Sequence, residues 1–386
     1  LRGRGVGVRG DALLRIGITL RSLPASGGPG IYTEQVVRRL LQIDRRNEYL
    51  LIRPRRPAAG WHQPVVPDYP NVREVQTGMR SGLIWDQMTV PLIAQRHGVD
   101  LLFSPFQQMP SWGSFKKVMV IHGAERYVVP KILGWRNRLR WMIMEQTTLP
   151  FVDRVISVSN TMTEDFCRAL GFPRAKVATI HLGVDESFKR LAKSDAWEQA
   201  RARYRLPADF LLFVGHLFPN KNLDNLLRGF KLIADDIPHD LLIVGGRRWK
   251  YHAVERLVGE LELERRVRSL GFVPQEDLVV LYNLARCFVF PSLYESFGLA
   301  QLEAMACGCP VVASQTGALP EIGGDAAVYC DPYDPASIGG AIRRLVTDEA
   351  LRQQYAARAL ERARLFSWDK CARQTLDLLE SVASSS

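Results

Sequence analysis

The sequence contains no run of about 18 apolar residues, so no transmembrane helix is expected. Leu1 to Arg9 carry Arg and Gly without an apolar core, so a signal peptide is not expected there either. No Cys-x-x-Cys pair occurs among the cysteines at 167, 287, 307, 309, 330 and 371. Cys307-Gly-Cys309 resembles half of a metal site, but no second ligand pair lies near it in sequence. Buried reduced thiols, a reducing compartment and no structural metal are the expectation. There is no Asp-x-Asp pair to hold a metal-bound phosphate. Zinc-finger, RRM and KH patterns are also missing, so nucleic acid is not an expected partner. Internal repeats are absent, and Ser384-Ser385-Ser386 is the one low-complexity tract.

At 386 residues the chain is too long for one ordinary core and suits two domains of similar size. It is 47% hydrophobic, as a globular protein is. The net charge of +11 is unevenly placed: residues 1–60 hold twelve Arg against Asp11, Glu34, Asp44 and Glu48, a local +8. A basic half with no nucleic-acid module points to a membrane surface or a phosphorylated substrate. Leu1 to Leu13 are expected to be disordered. Beyond them, apolar runs at 15–20, 47–52, 71–75, 100–104, 117–121, 153–158, 177–181, 210–215 and 241–246 read as strands. Helical patterns lie between them, which argues for parallel α/β layers. Residues 85–97 read as a helix. Residues 131–146 read as another, with Trp135, Leu139, Met142 and Ile143 on one face and Arg136, Arg138 and Arg140 beside it. That pattern fits a core helix with a solvated basic edge, or an interfacial helix touching anionic lipid.

The chemistry concentrates between Pro291 and Gly308. The buried run 287–290 ends in a tight loop, and a short helix follows. Gly298 opens that helix, and Gly308 stands where a left-handed residue stops it. The N–H groups of Phe297, Gly298, Leu299 and Ala300 would point out of the helix N-terminus, a ready anion site. Glu295 and Glu303, eight residues apart, would repel a phosphate but accept hydrogen bonds from sugar hydroxyls on either side of it. A diphosphate flanked by two polyols is a nucleotide-sugar. The plain alternative is a helix with a solvated Glu at each end. In the first half, the strand at 15–20 runs into Gly27-Gly28-Pro29-Gly30 and a helix, a phosphate-approach unit or an ordinary glycine turn. His122 stands just past the carboxyl end of the strand at 117–121, where α/β proteins bind ligands.

Glu295, seven intervening residues and Glu303, inside Pro-Ser-Leu-Tyr-Glu-Ser-Phe-Gly-Leu and Leu-Glu-Ala-Met-Ala-Cys-Gly, resemble the signature of retaining glycosyltransferase family 4. The similarity runs from about Ile16 to the C-terminus. It implies the GT-B fold: α/β, two Rossmann-like domains with parallel sheets facing a central cleft. The expected division is an extension at 1–14, an acceptor domain at 15–187, a nucleotide-sugar domain at 188–365, and a final helix at 366–386 that crosses back to the first domain. The resemblance implies donor contacts from Gly28, Gly30, Gly215, His216, Phe272, Val273, Phe297, Gly298, Leu299 and Glu303, with 271–274 meeting the base and 314–321 near the donor. It implies catalytic roles for His122 against the donor sugar, for Lys221 on the leaving diphosphate, and for Glu295.

This sequence departs from the family pattern in four places. Ser296 stands where Gly is common, His122-Gly123 where His-Asp is common, and Leu182 where Asn is. Neither His216 nor Asn220 is the Arg expected near Lys221, with Arg247 or Arg248 as candidates to compensate. The implied activity is transfer of a hexose from a nucleoside-diphosphate sugar to a glycan or lipid-linked acceptor, with no cofactor or metal. GDP-mannose is the first donor to consider. The expected location is the cytoplasm, and the basic first domain adds the hypothesis of peripheral attachment at the inner face of the cytoplasmic membrane. Rival readings are a nucleotide-sugar epimerase or phosphorylase on the same fold, and an inactive sugar- or lipid-binding homologue. The missing Arg favours the last, and the retention of both Glu295 and Glu303 opposes it.

Overall fold

The computed structural model describes residues 13–21, 23–24, 27–54, 61–62, 68–79, 82–128, 139, 141, 145–216, 218–246 and 251–385. The expected extension up to residue 12 lies outside them. So do Trp135, Arg136, Arg138, Arg140, Met142 and Ile143 of the stretch expected to form a basic helix, and Arg247 and Arg248.

Among the described residues, a parallel sheet of seven strands comprises β1 (Arg15–Thr19), β2 (Glu48–Arg53), β3 (Val72–Gln76), β4 (Leu101–Ser104), β5 (Lys116–Ile121), β6 (Arg154–Ser157) and β7 (Val177–Thr179). Their order is β3-β2-β1-β4-β5-β6-β7. A second parallel sheet comprises β8 (Phe210–Val214), β9 (Asp240–Val244), β10 (Val267–Gly271), β11 (Cys287–Phe290), β12 (Val311–Ser314) and β13 (Ala327–Cys330), ordered β10-β9-β8-β11-β12-β13. The central strands are apolar on both faces because helices cover both: Phe210, Leu211, Leu212 and Phe213 are fully buried, as are Phe288 and Val289. Each sheet is wound outward from its first strand and then back to that strand's other side, so β1 pairs with β4 and β8 with β11. The crevice at the carboxyl ends of such a pair is where doubly wound sheets take ligands.

Helix α1 (Gly28–Ile43) follows β1. Pro29 occupies its first turn, where a missing N–H costs nothing, and Tyr32, Val36, Val37, Leu40 and Leu41 are buried at helical spacing. Helix α2 (Asn160–Leu170) is capped by Ser159, whose side chain accepts from Met162 N at 3.1 Å. In the second domain α3 (Leu223–Lys231), α4 (Leu299–Ala306) and α5 (Leu319–Gly323) follow β8, β11 and β12. Helix α6 (Trp368–Ser384) returns to the first domain and lies along α1. Arg39 Nε donates to Asp369 at 2.7 Å and Asn47 Nδ2 to Glu380 at 3.0 Å. The two stretches that cross between domains run in contact. A Cβ on Gly183 would sit 2.0 Å from Trp368 N, and Val184 bridges to Ser367.

Two local expectations are corrected. The stretch read as one helix at 85–97 begins as a π-helix (Trp85–Thr89) before continuing as an α-helix (Val90–Arg96). Trp85 Nε1 donates to Thr77 Oγ1 at 3.0 Å and Asp86 pairs with Arg21; these buried anchors hold the wider turn. The strand expected to run to His181 ends at Thr179, and His181 leaves the sheet toward the second domain.

Candidate active site

A cleft of about 770 Å³ lies between the carboxyl ends of the two sheets. Gly28, His122, Gly215, His216, Lys221, Phe272, Val273, Glu295, Phe297, Gly298, Leu299 and Glu303 all line it. Gly30 does not: it sits inside the first turn of α1, its N–H donating to Gly27 O at 2.9 Å. None of the residues 314–321 lines the cleft.

The wall formed by the second domain is built around Gly298. Its φ of +96° and the 2.6 Å that would separate a Cβ from Leu319 Cδ2 leave no room for a side chain. The turn there starts α4 with Leu299 and Ala300 facing the cleft, so the positive end of the helix dipole lies at its edge. Lys221 ends a 3-10 turn (Pro219–Lys221). The next residue, Asn222, donates to Pro291 O at 2.9 Å and Pro332 O at 2.6 Å, which fixes the turn to the loops after β11 and β13. Lys221 Nζ then donates to Glu295 Oε1 at 2.6 Å, with both side chains largely buried. Two ammonium hydrogens remain for an incoming anion.

Glu303 faces the cleft from the second turn of α4 and is otherwise surrounded by protein. Burial pushes its carboxyl up to about 8; the Tyr282 hydroxyl, donating at 3.3 Å, pulls the other way, and the nearby Asp185 charge adds to the rise. Across the cleft, His122 Nε2 lies 2.7 Å from Pro105 O. A carbonyl only accepts, so the proton is on Nε2 and Nδ1 carries the lone pair. Burial lowers the pKa of His122 to about 4, against the pull of that carbonyl, so the ring is neutral at pH 7. It packs edge-on to Tyr32 with centroids 5.0 Å apart. Phe272, 73% exposed, projects at the cleft margin and offers a face for stacking.

Sequence reasoning missed Gln35, Arg38 and Asp185, which also line the cleft. Gln35 Nε2 donates to Asp185 Oδ2 at 2.8 Å, and Arg38 Nη2 to Gln35 Oε1 at 3.2 Å. Burial alone would raise Asp185, but hydrogen bonds from Ser187 and Gln35 and the Arg38 charge hold its pKa below the ordinary value. A signal existed: Gly28, Ile31, Gln35 and Arg38 continue one face of α1 at helical spacing. Glu321 was also missed. It binds the first domain, accepting from Asn160 N (2.8 Å) and Nδ2 (3.0 Å), Thr161 N (2.8 Å) and Oγ1 (2.9 Å), and His181 Nε2 (2.6 Å). Burial opposes its ionisation, but these bonds outweigh that and hold the carboxyl down at about 2. The cysteines are unpaired, and all but the half-buried Cys167 are buried.

Two facing parallel α/β domains, with a dipole-tipped helix, a lysine and two glutamates at the crevice between them, make a GT-B glycosyltransferase architecture. The glycosyltransferase family 4 model matches residues 26–188 and the glycosyl transferases group 1 model residues 198–362. The chain belongs to this family. It is 33% identical over 246 residues to the O-antigen chain mannosyltransferase B of Escherichia coli, covering 63% of this chain and 64% of that one. It is 30% identical to the E. coli serotype-specific mannosyltransferase WbdA, covering 70% of this chain but 34% of that one. The chain thus spans less than two thirds of the length of these relatives. Its fold is similar to sucrose-phosphate synthase from Thermosynechococcus elongatus, with a TM-score of 0.75 at 22% identity over 97% of this chain and 100% of that one.

Proposed function

We propose that the protein transfers a hexose, mannose from GDP-mannose being the first candidate, to a hydroxyl of a glycan or lipid-linked saccharide, with retention at the anomeric carbon. The observation that carries this reading is the Lys221–Glu295 pair beside the N-terminus of α4, with Glu303 one helical face further on. A diphosphate at the helix terminus would meet the Lys221 ammonium and backbone N–H groups. Glu303 would receive the ribose hydroxyls and Phe272 the base. Glu295, held by Lys221, would accept from the sugar. Arg38, on the facing wall, adds the second cation that His216 and Asn220 do not supply. In the transfer step the acceptor oxygen bonds to the anomeric carbon as the bond from that carbon to the phosphate oxygen breaks. The acceptor proton passes to the departing phosphate. The protein's part is to position both partners and stabilise the phosphate charge. Mannose is favoured because both E. coli relatives are named mannosyltransferases.

A thermal-shift screen against GDP-mannose, UDP-glucose, UDP-GlcNAc and dTDP-rhamnose, followed by product analysis with and without acceptor, tests this. GDP-mannose at about 100 times its Kd should stabilise by about 2.7 kcal/mol, a shift of several degrees. Transfer should survive EDTA, because Lys221 and the helix terminus meet the phosphate charge. Loss on chelation with rescue by Mg²⁺ or Mn²⁺ would place a metal in the reaction. Sugar phosphate release from a glycoside and inorganic phosphate would make it a phosphorylase.

The acceptor reading extends to a membrane surface. No helix among the described residues is long and apolar enough to cross a membrane. The helical stretch 83–96 nevertheless exposes Leu83 (61%), Ile84 (64%), Met88 (52%) and Leu92 (53%) on the basic first domain. Each basic residue near an anionic surface adds about 1 kcal/mol, decaying over a Debye length. Co-sedimentation with phosphatidylserine-containing vesicles should therefore be measurable at low salt and fall as salt rises. Arg136, Arg138 and Arg140 reversed to Glu should weaken it while nucleotide binding is kept. Equal binding to neutral vesicles, or none to either, would make a soluble acceptor the better reading.

A further inference from the structure

Three residues of the second domain, two in the loop that carries Glu295 and one in α5 behind it, hold α2 of the first domain. Ser159 Oγ donates to Ser296 O at 2.7 Å, and Tyr294 OH donates to Asp165 Oδ2 at 2.9 Å. The third is Glu321, whose carboxylate meets the first backbone N–H groups and side chains of α2 together with His181. Glu321 is itself held to the Glu295 loop. Ala318 N donates to Glu295 O at 2.9 Å, and a Cβ on Gly317 would lie 2.6 Å from that same oxygen. From behind, Arg362 donates to Glu321 O at 2.6 Å and Ile322 O at 2.9 Å, so α5 cannot slide away. The carboxylate matches its site chemically: an ionised acceptor has the lone pairs for several donors, and a helix N-terminus supplies unpaired donors with a favourable dipole.

We infer that Glu321 is a positioning residue for the transfer reaction: its five-donor clasp on α2 and His181 sets where Glu295 and its Lys221 partner stand relative to the first-domain wall that holds His122 and the acceptor. Glu321 does not line the cleft, so it acts through residues that do. The clasp acts through the short path Glu321–Ala318–Glu295, and the Ser159 and Tyr294 contacts hold the same loop on either side of Glu295. The clasp spans the two domains, whereas Glu303 and Phe272 are carried by the second domain alone. This inference rests on the transferase reading for its catalytic consequence but not for the clasp itself.

The test uses the full chain with Glu321→Ala, Thr161→Val and the double variant. A displacement of about 1 Å at a reacting centre costs about 100-fold, so Glu321→Ala should lower kcat by at least tenfold. The Kd for the free nucleoside diphosphate should change far less than kcat, because Lys221, Glu303 and Phe272 stand on the second domain and only Arg38 faces them from the first. Thr161→Val, which removes one donor, should lower kcat less, and the double variant should fall no further than Glu321→Ala alone, since both act through one carboxylate. An unchanged kcat in folded Glu321→Ala, an equal loss of nucleotide affinity, or fully additive losses would overturn the inference. If Glu321→Ala does not fold, Thr161→Val and Asn160→Ala carry the same kcat-against-Kd comparison. Small-angle X-ray scattering gives a readout independent of activity. Glu321→Ala should broaden the interdomain distance distribution, and an unchanged curve would overturn the clasp. A wild-type protein that transfers no sugar from any donor, yet whose Glu321→Ala variant opens in scattering, would overturn the transferase reading and leave the clasp standing.

Discussion

Replacing Lys221 by alanine should lower kcat about 100- to 1,000-fold, the cost of removing one preorganised group from a developing oxyanion. The argument is local. Lys221 is fixed by the Asn222 hydrogen bonds to Pro291 and Pro332 and pairs with Glu295 at 2.6 Å. Its loss removes the ammonium and leaves the Glu295 carboxylate without that partner beside the phosphate. Lys221→Arg should recover part of the rate, since charge returns with different reach. The double variant Lys221→Ala with Glu295→Gln should be less than additively impaired, because the two side chains act as a pair. Initial rates on the donor identified by thermal shift decide it. A loss below tenfold in the alanine variant would mean that the leaving phosphate is stabilised elsewhere, with Arg38 the next residue to change.

The second large effect belongs to Glu303. A hydrogen bond to a charged group contributes about 1.5–3 kcal/mol, so Glu303→Ala should weaken nucleotide binding about 10- to 150-fold and raise the donor KM in parallel. The raised pKa makes the effect depend on pH. With the carboxyl near 8, Glu303 is mostly protonated at pH 7, and two ribose hydroxyls donate best to the ionised form. Nucleotide affinity should rise between pH 6 and 8 and then level. Binding near pH 7 should release a proton, visible as a buffer-dependent calorimetric enthalpy. Glu303→Gln should abolish both. The free protein should follow the opposite trend. A carboxyl whose folded pKa lies above its ordinary 4.5 contributes stability that is full below about 4.5 and is lost as pH rises through about 8, and Glu303→Gln should flatten that slope. Nucleotide affinity that is flat from pH 6 to 8 in the wild type would place the ribose away from Glu303.

What the sequence made legible was what depends on neighbours along the chain. The alternation of apolar runs and helices predicts the parallel layers. The Pro291–Gly308 stretch carries its own loop, helix start and helix stop, because Gly298 and Gly308 hold the left-handed backbone at its two ends. Gly30 was misplaced because a glycine in a phosphate-approach turn and a glycine in the first turn of a helix look alike until the register of α1 is known. The π-turn at Trp85 was invisible because it answers to buried partners, Thr77 and Arg21, and not to periodicity. Asp185 and Glu321 escaped for a different reason. Asp185 meets a residue 150 positions away within the first domain, and Glu321 meets one 161 positions away across the gap between domains.

The close passage of Gly183 against Trp368 has a consequence for how the molecule is made. Helix α6 completes the first domain from the far end of the chain: Arg39 and Asp369 are 330 residues apart. The second domain is therefore an insertion in the first. During synthesis the α1 face that α6 covers stays bare until the whole of the second domain has emerged from the ribosome. That contact order slows completion of the first domain and leaves Tyr32 and its neighbours open to misassociation meanwhile. A chain cut near residue 188 would yield a first half lacking its last helix, so the first domain is best expressed with α6 reattached through a short linker at Gly183.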